Sequence, residues 1–189
     1  MLAVTQQEKI LDAAYRCLAK DGYAQTSLRQ IAAEAGVAVS QISYHYQNKE
    51  GLLLAVVARV AQNYHHYMQG YLKPTMTPEE KGEQFILLYQ KVLREDPELF
   101  RVLYDLAGLA LWSEPFRQRV RDVFAGIMDQ ITKEVFTEEL LRRLDYDYTS
   151  ATLASMFFGA LFGIGVQALL EPENKAIPNS LGALTVVFR

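Results

Sequence analysis

Residues 26–49 read TSLRQIAAEAGVAVSQISYHYQNK, and this stretch decides the fold. Ser27 is a strong helix N-cap, and Gln30 follows at capping-box spacing. Leu28, Ile31, Ala32 and Ala35 recur at i, i+3, i+4 and i+7, which places an apolar stripe on one helical face. Gly36 ends the helix, because glycine takes the left-handed conformation beyond a C-cap without a steric penalty. The link at Val37 is too short for anything but a sharp turn. A second helix is expected from Val39 to Tyr46, with Val39 and Ile42 packed inward and Ser40, Gln41, Tyr44 and His45 facing out. Ala32 and Ala33 let the two helices approach closely. This is the layout of a helix-turn-helix, whose second helix enters the major groove of DNA. The plainer alternative is a packed helix pair with no part in DNA binding.

The same residues carry a family resemblance. Ser27-Leu28-Arg29-Gln30-Ile31-Ala32, then Ala35-Gly36-Val37, then Ser43-Tyr44-His45-Tyr46 and Asn48-Lys49-Glu50-Gly51-Leu52-Leu53 resemble the DNA-binding domain of the tetracycline-repressor (TetR) family of bacterial transcription regulators. The match covers roughly the first third of the chain. Ala38 stands where the family often has a capping serine or threonine. Ser43 replaces a common phosphate-contacting tyrosine, and Tyr44-His45-Tyr46 fits the subset with Tyr-His-Phe one step later. The resemblance implies an all-α protein: a three-helix DNA-binding domain over 4–64, with its motif at 27–46, and a C-terminal effector-binding and dimerisation domain over 75–189. It also implies a homodimer on a palindromic operator and a small-molecule effector, with no cofactor.

The chain has 189 residues, half of them apolar, enough for a sizeable core. Its net charge of −3 excludes a nonspecific nucleic-acid coater. Within residues 1–50, Lys9, Arg16, Lys20, Arg29 and Lys49 are balanced by Glu8, Asp12, Asp21, Glu34 and Glu50. A neutral head binds phosphates only if its bases face one way and helix N-termini assist. The single Cys17 rules out an internal disulfide, and the expected location is the cytoplasm.

Thr5 and Glu8 form another capping box, starting a helix over about 6–20 with Ile10, Leu11, Ala14 and Leu18 inward and Asp21-Gly22 as its stop. Tyr23 is expected in the same core. Asn48 caps a long fourth helix to about Gly70, a natural lever for the reading head. His65 and His66 are adjacent, so their side chains diverge and cannot chelate as an i, i+4 pair would. Residues 70–77 break the periodicity. Thr77-Pro78-Glu79-Glu80 then starts a helix lined by Phe85, Leu88, Tyr89 and Val92. Asp96-Pro97 and Ser113-Glu114-Pro115 start two more, to about Leu111 and Val135. Residues 137–144 read as a short helix or turn. Residues 149–170 carry no charge. A membrane span is set aside there because Thr152, Ser155, Gln167 and several glycines dilute the stretch. Ala151, Ser155, Gly159 and Gly163 recur every four residues and form a smooth groove for a partner helix. The family resemblance implies a four-helix dimer interface here, completed by a final helix after Pro178. Residues 184–188 are the one run with strand-like character.

No GxSxG, P-loop, GxGxxG or HExxH motif is present, no metal site is expected, and the chain does not read as an enzyme. Phe85, Tyr89, Phe100, Tyr104, Trp112, Phe116, Phe124 and Met128 are candidates to line an effector pocket between bundle helices. Ser40, Gln41 and Tyr44 are candidates for base edges. Ser27, Tyr44, His45 and Lys49 are candidates for phosphates. The expected function is a DNA-binding transcriptional regulator, a homodimeric repressor released by a small molecule. The alternatives are a helical protein-interaction module and a cavity-bearing α-helical enzyme.

Overall fold

The computed structural model describes residues 5–145 and 147–188, apart from the side chains of residues 65, 66 and 69. The reading of His65 and His66 therefore lies outside the described residues. All described regular structure is helical. Helix α1 (Gln6–Gln25) starts at the Thr5/Glu8 capping box and is interrupted at Gly22, where φ is 72°. The expected stop at Asp21-Gly22 is thus real, with one further turn after it. Helices α2 (Leu28–Ala35), α3 (Val39–Tyr46), α4 (Lys49–Tyr71), α5 (Pro78–Glu95), α6 (Pro97–Ala110), α7 (Glu114–Glu134), α8 (Glu138–Arg143) and α9 (Ser150–Leu170) follow. Thr77 caps α5 through the full box with Glu80, and Asn48 caps α4 by accepting from Gly51 N–H at 2.9 Å.

Packing divides the chain into two compact units. One joins residues up to Asn63 with Glu98–Val123; the other joins Tyr64–Pro97 with Phe124 onward. In the first, α1 lies against α2, and α2 against α3. Its buried side chains include Ile10, Leu18, Ile31, Ile42, Leu52, Leu53, Val56 and, from α6, Leu106, all nearly without solvent contact. Each such side chain contributes about 1.5–3 kcal/mol by leaving water. Tyr23 is only half-buried.

The second unit is built around rings. Phe157 on α9 meets Phe85, Phe136 and Phe188 with centroid separations of 6.5, 5.8 and 5.8 Å. The Phe188 ring fills the space beside Gly82, where a Cβ would stand 2.4 Å from it. Ion pairs Lys81–Glu134 at 2.7 Å and Arg143–Glu79 tie α5 to α7 and α8. Helix α9 is long and apolar enough to cross a membrane, yet it buries Leu153, Ala154, Phe157, Leu161, Gly165 and Ala168 inside this unit.

Three further expectations need correction. The final helix after Pro178 is not a regular α-helix, nor are residues 184–188 a strand. Pro178 lies inside a four-residue turn of helix, α10 (Ala176–Asn179), and a nine-residue 3₁₀ stretch, Ser180–Phe188, follows. Thr185, Val186 and Val187 are β-branched and weaken α-helix locally. Burial of Leu181 and Phe188 then fixes the tighter winding. Val39, expected inside, is 39% exposed. It opens α3, where the first residue points away from the supporting helices.

Candidate nucleic-acid interface

The supporting helix is locked at both ends. Ser27 Oγ accepts from Gln30 N–H at 3.3 Å and donates to Gln30 Oε1 at 2.9 Å, while Ser27 N–H donates to the same oxygen at 2.9 Å. At the other end Gly36 sits at φ 67°, ψ 37°. Val37 N–H reaches Ala32 O at 3.0 Å and Gly36 N–H reaches Ala33 O at 3.2 Å, a Schellman closure. The turn into α3 is therefore defined by backbone hydrogen bonds.

Helix α3 is anchored by Ile42, fully buried, and by Tyr46, whose hydroxyl donates to Gln7 O at 2.9 Å. Burial pushes the Tyr46 phenol up, so it stays a neutral donor. Ser40 and Ser43 are exposed, Gln41 and His45 are half-buried, and Tyr44 is 80% exposed. The Tyr44 and His45 rings meet edge-on with centroids 5.0 Å apart. Ala38 provides no side-chain cap to α3. The first N–H groups of α3 are left for water or an anion.

The end of α3 is unusual. Gln47 has φ 68° and ψ −55°, and Asn48 N–H closes onto Tyr46 O at 2.8 Å. This is a γ-turn of the rarer, positive-φ hand. It presses the Tyr46 carbonyl toward the start of α4, where a Cβ on residue 51 would lie 2.2 Å from that oxygen. Only glycine fits at position 51. The turn, with the Asn48 cap on Gly51 N–H, explains why Asn48 and Gly51 occur together.

Charge is sorted by geometry. Glu34 pairs with Arg16 at 2.8 Å and Asp12 with Arg59 at 2.7 Å, so two acids of the head are engaged. No carboxylate occurs between Glu34 and Glu50 in sequence. Arg29, on the first turn of α2, is exposed and has no carboxylate within ion-pair distance among the described residues. Sequence reading counted it only as a base; its position beside Ser27 was the signal available. Lys49 is placed differently from expectation. Its ammonium donates to Tyr23 O at 3.0 Å and stands 4.2 Å from the Tyr23 ring centre. Burial there pushes it below the ordinary lysine value. Lys49 thus secures the head internally, with only its remaining N–H groups free to turn outward. Ser27, also expected at phosphates, is exposed with its hydroxyl engaged in the cap.

The eight aromatic and sulfur side chains expected around an effector fall in both units. In the first, Phe100 and Tyr104 stack with centroids 6.3 Å apart, and Phe116 is buried. Trp112 is 89% exposed, because it sits on the turn that ends α6, and so it lines no enclosed space in its unit. In the second, Phe85 is buried and Tyr89 half-buried, while Phe124 packs against Phe158 and Phe162 at 5.1 and 5.6 Å. Met128 lies 3.6 Å from Ser155 Oγ. On α9, Ala151, Ser155 and Gly159 are exposed and Gly163 is half-buried. Among the described residues, no atom outside the helix approaches within 4 Å of where Cβ atoms on the two glycines would stand.

A short outward-facing helix, carried on a capped support and free of acids, is the layout of a DNA-binding helix-turn-helix. Residues 10–56 match the family described as bacterial regulatory proteins, tetR family. The chain is 28% identical over 141 residues to the fatty acid metabolism regulator protein of Bacillus subtilis (strain 168), covering 72% of each. A TetR transcription regulator from Haloarcula marismortui superposes with a TM-score of 0.80 at 19% identity, covering 97% of each chain. FadR from Bacillus subtilis, solved with stearoyl-CoA, gives 0.80 at 20% identity, covering 95% of this chain and 96% of that one. Residues 10–56 thus carry a TetR-type DNA-binding helix-turn-helix domain, and the chain as a whole has the fold of the solved TetR-family regulators.

Proposed function

We propose that the protein is a cytoplasmic homodimeric repressor that leaves a palindromic operator when a small molecule binds. Its DNA-binding domain spans 4–64 and its effector and dimerisation domain 75–189. One observation carries this reading: Ser40 and Tyr44 are exposed, with half-buried Gln41 beside them, on a helix whose other side is anchored by Ile42 and Tyr46. In this reading Ser40, Gln41 and Tyr44 meet base edges. Ser27, Arg29, Tyr44 and His45 take phosphates, with Lys49 bracing the head and contributing outward when DNA is present. Two copies on a twofold axis reach successive major grooves. The uncovered small-residue face of α9 supports a partner helix at Ala151, Ser155, Gly159 and Gly163.

The effector is an apolar small molecule held among the rings of the C-terminal domain, Phe85, Tyr89, Phe124 and Met128 foremost. FadR of Bacillus subtilis was solved with stearoyl-CoA, which makes acyl thioesters a reasonable first panel here. Ligand acts by preferring one spacing of the heads, since it shifts an equilibrium only through differential affinity. Selecting bound fragments from the source genome tests the reading: an inverted repeat with half-sites about one helical turn apart is expected. Recovery of no enriched sequence would reject it.

A further inference from the structure

Phe188 is a ring set among other rings. It is 4% exposed, and the Phe136 and Phe157 rings each stand 5.8 Å from it between centroids. Its tip rests on α5 at Gly82, where a Cβ would stand 2.4 Å from Cζ, so only a bare backbone leaves room for it. Phe85, farther along α5, extends the cage by meeting Phe157 edge-on at 6.5 Å. Edge-on and tilted contacts of this kind favour a flat ring over an aliphatic group of equal area.

The cage does not need its occupant. Phe136 meets Phe157 directly at 5.8 Å, and Phe157 meets Phe85. Lys81, the chain neighbour of Gly82, pairs with Glu134 at 2.7 Å and so joins α5 to the end of α7, just before Phe136. The walls thus hold one another around the seat without help from Phe188. Apolar seats with close-packed walls keep their shape when emptied.

The occupant is held less firmly. It ends the nine-residue 3₁₀ stretch Ser180–Phe188, and 3₁₀ runs of more than about three or four residues are uncommon because their hydrogen bonds are poorly aligned. Leu181 and Phe188 are its buried residues, while Gly182, Ala183 and Val186 are exposed. The Ser180 and Thr185 hydroxyls donate locally, to Ile177 O and Gly182 O. Packing against α5 therefore carries the stretch, and the Phe188 ring is its far anchor.

We propose that the Phe188 seat is a ligand site for a small uncharged aromatic compound, plugged by the chain itself when the ligand is absent. The ligand's ring takes the place of the Phe188 ring, and the 3₁₀ stretch lifts from α5. A plug that fills the seat most of the time weakens the apparent affinity by the fraction of time the seat stands open. That this ligand is the effector rests on the repressor reading above; the plug itself does not.

Indole is the probe, used with the full chain. Calorimetry should show it binding the wild type, and hydrogen exchange over residues 181–187 should quicken by about fivefold or more at saturation. Phe188→Ala removes the competitor and should bind indole at least about tenfold more tightly. If that variant proves unfolded by circular dichroism, Phe188→Leu, which keeps bulk without a ring, decides in its place with a gain of about threefold. A wild type that does not bind indole, or binds it with exchange over 181–187 unchanged, would overturn the plug. A mobility shift on a selected genomic fragment separates the two readings. Indole that frees the stretch and leaves the DNA bound would overturn the effector role and spare the plug. A chain that bound no fragment would sink the repressor reading and the effector role together, while calorimetry and exchange still judged the plug.

Discussion

Ser40, Gln41 and Tyr44 lie at i, i+1 and i+4 on α3, one side of a helix. Gln41 has the amide that reads adenine in the major groove through two hydrogen bonds. Gln41→Ala should weaken operator binding by roughly tenfold, the size of one good base contact, with fold and dimer retained. Equal affinity in a mobility shift would remove Gln41 from the reading surface. The γ-turn at Gln47 gives a second prediction. Gly51→Ala forces a Cβ against a carbonyl and should cost about 2 kcal/mol or more in urea unfolding. Gln47→Gly relieves strain of about 1–3 kcal/mol against a chain-entropy cost of about 0.5–1 kcal/mol, so a modest net gain is expected. A loss on unfolding would show that the turn is unstrained. At this scale the sequence was half legible. The Ser27 and Thr5 boxes follow from local spacing. The capture of Lys49 by Tyr23 depends on a contact 26 residues away in the chain, which no local pattern encodes.

Helix α9 shows the same division among elements. Its length and its four-residue repeat of small side chains are written in the sequence, and the observed bounds Ser150–Leu170 match them. Ala151, Ser155 and Gly159 stand exposed while Phe157 and Leu161 are buried. Gly159→Leu should hold a partner helix away and yield monomer by light scattering. A variant still dimeric would locate the interface elsewhere. The segment after Pro178 was misread because its apolar residues suit several conformations. What selects the 3₁₀ winding is the place of Phe188 against Gly82, Phe136 and Phe157, and tertiary packing of this kind overrides propensity.

For the whole molecule the decisive quantity is electrostatic. A chain of net charge −3 binds a polyanion only through local order. An α3 and flanking turn without acids supply that order within the head, while the Arg16–Glu34 and Arg59–Asp12 pairs each engage one charge of either sign. With two or three cationic contacts on each of two heads, log affinity should fall against log salt with a slope of about −4 to −5. A flat response would mean that the helix pair docks protein. Counting charges in the sequence made the head look neutral. Which acids were already engaged became visible only with their partners in place.

The bend after Tyr46 leaves no slack between the reading helix and the long helix behind it, since one carbonyl, one strained residue and one bare backbone position interlock there. Anyone retargeting this regulator by transplanting a foreign reading helix must therefore carry residues 46–51 along as a fixed joint, or the new side chains will arrive at the wrong angle.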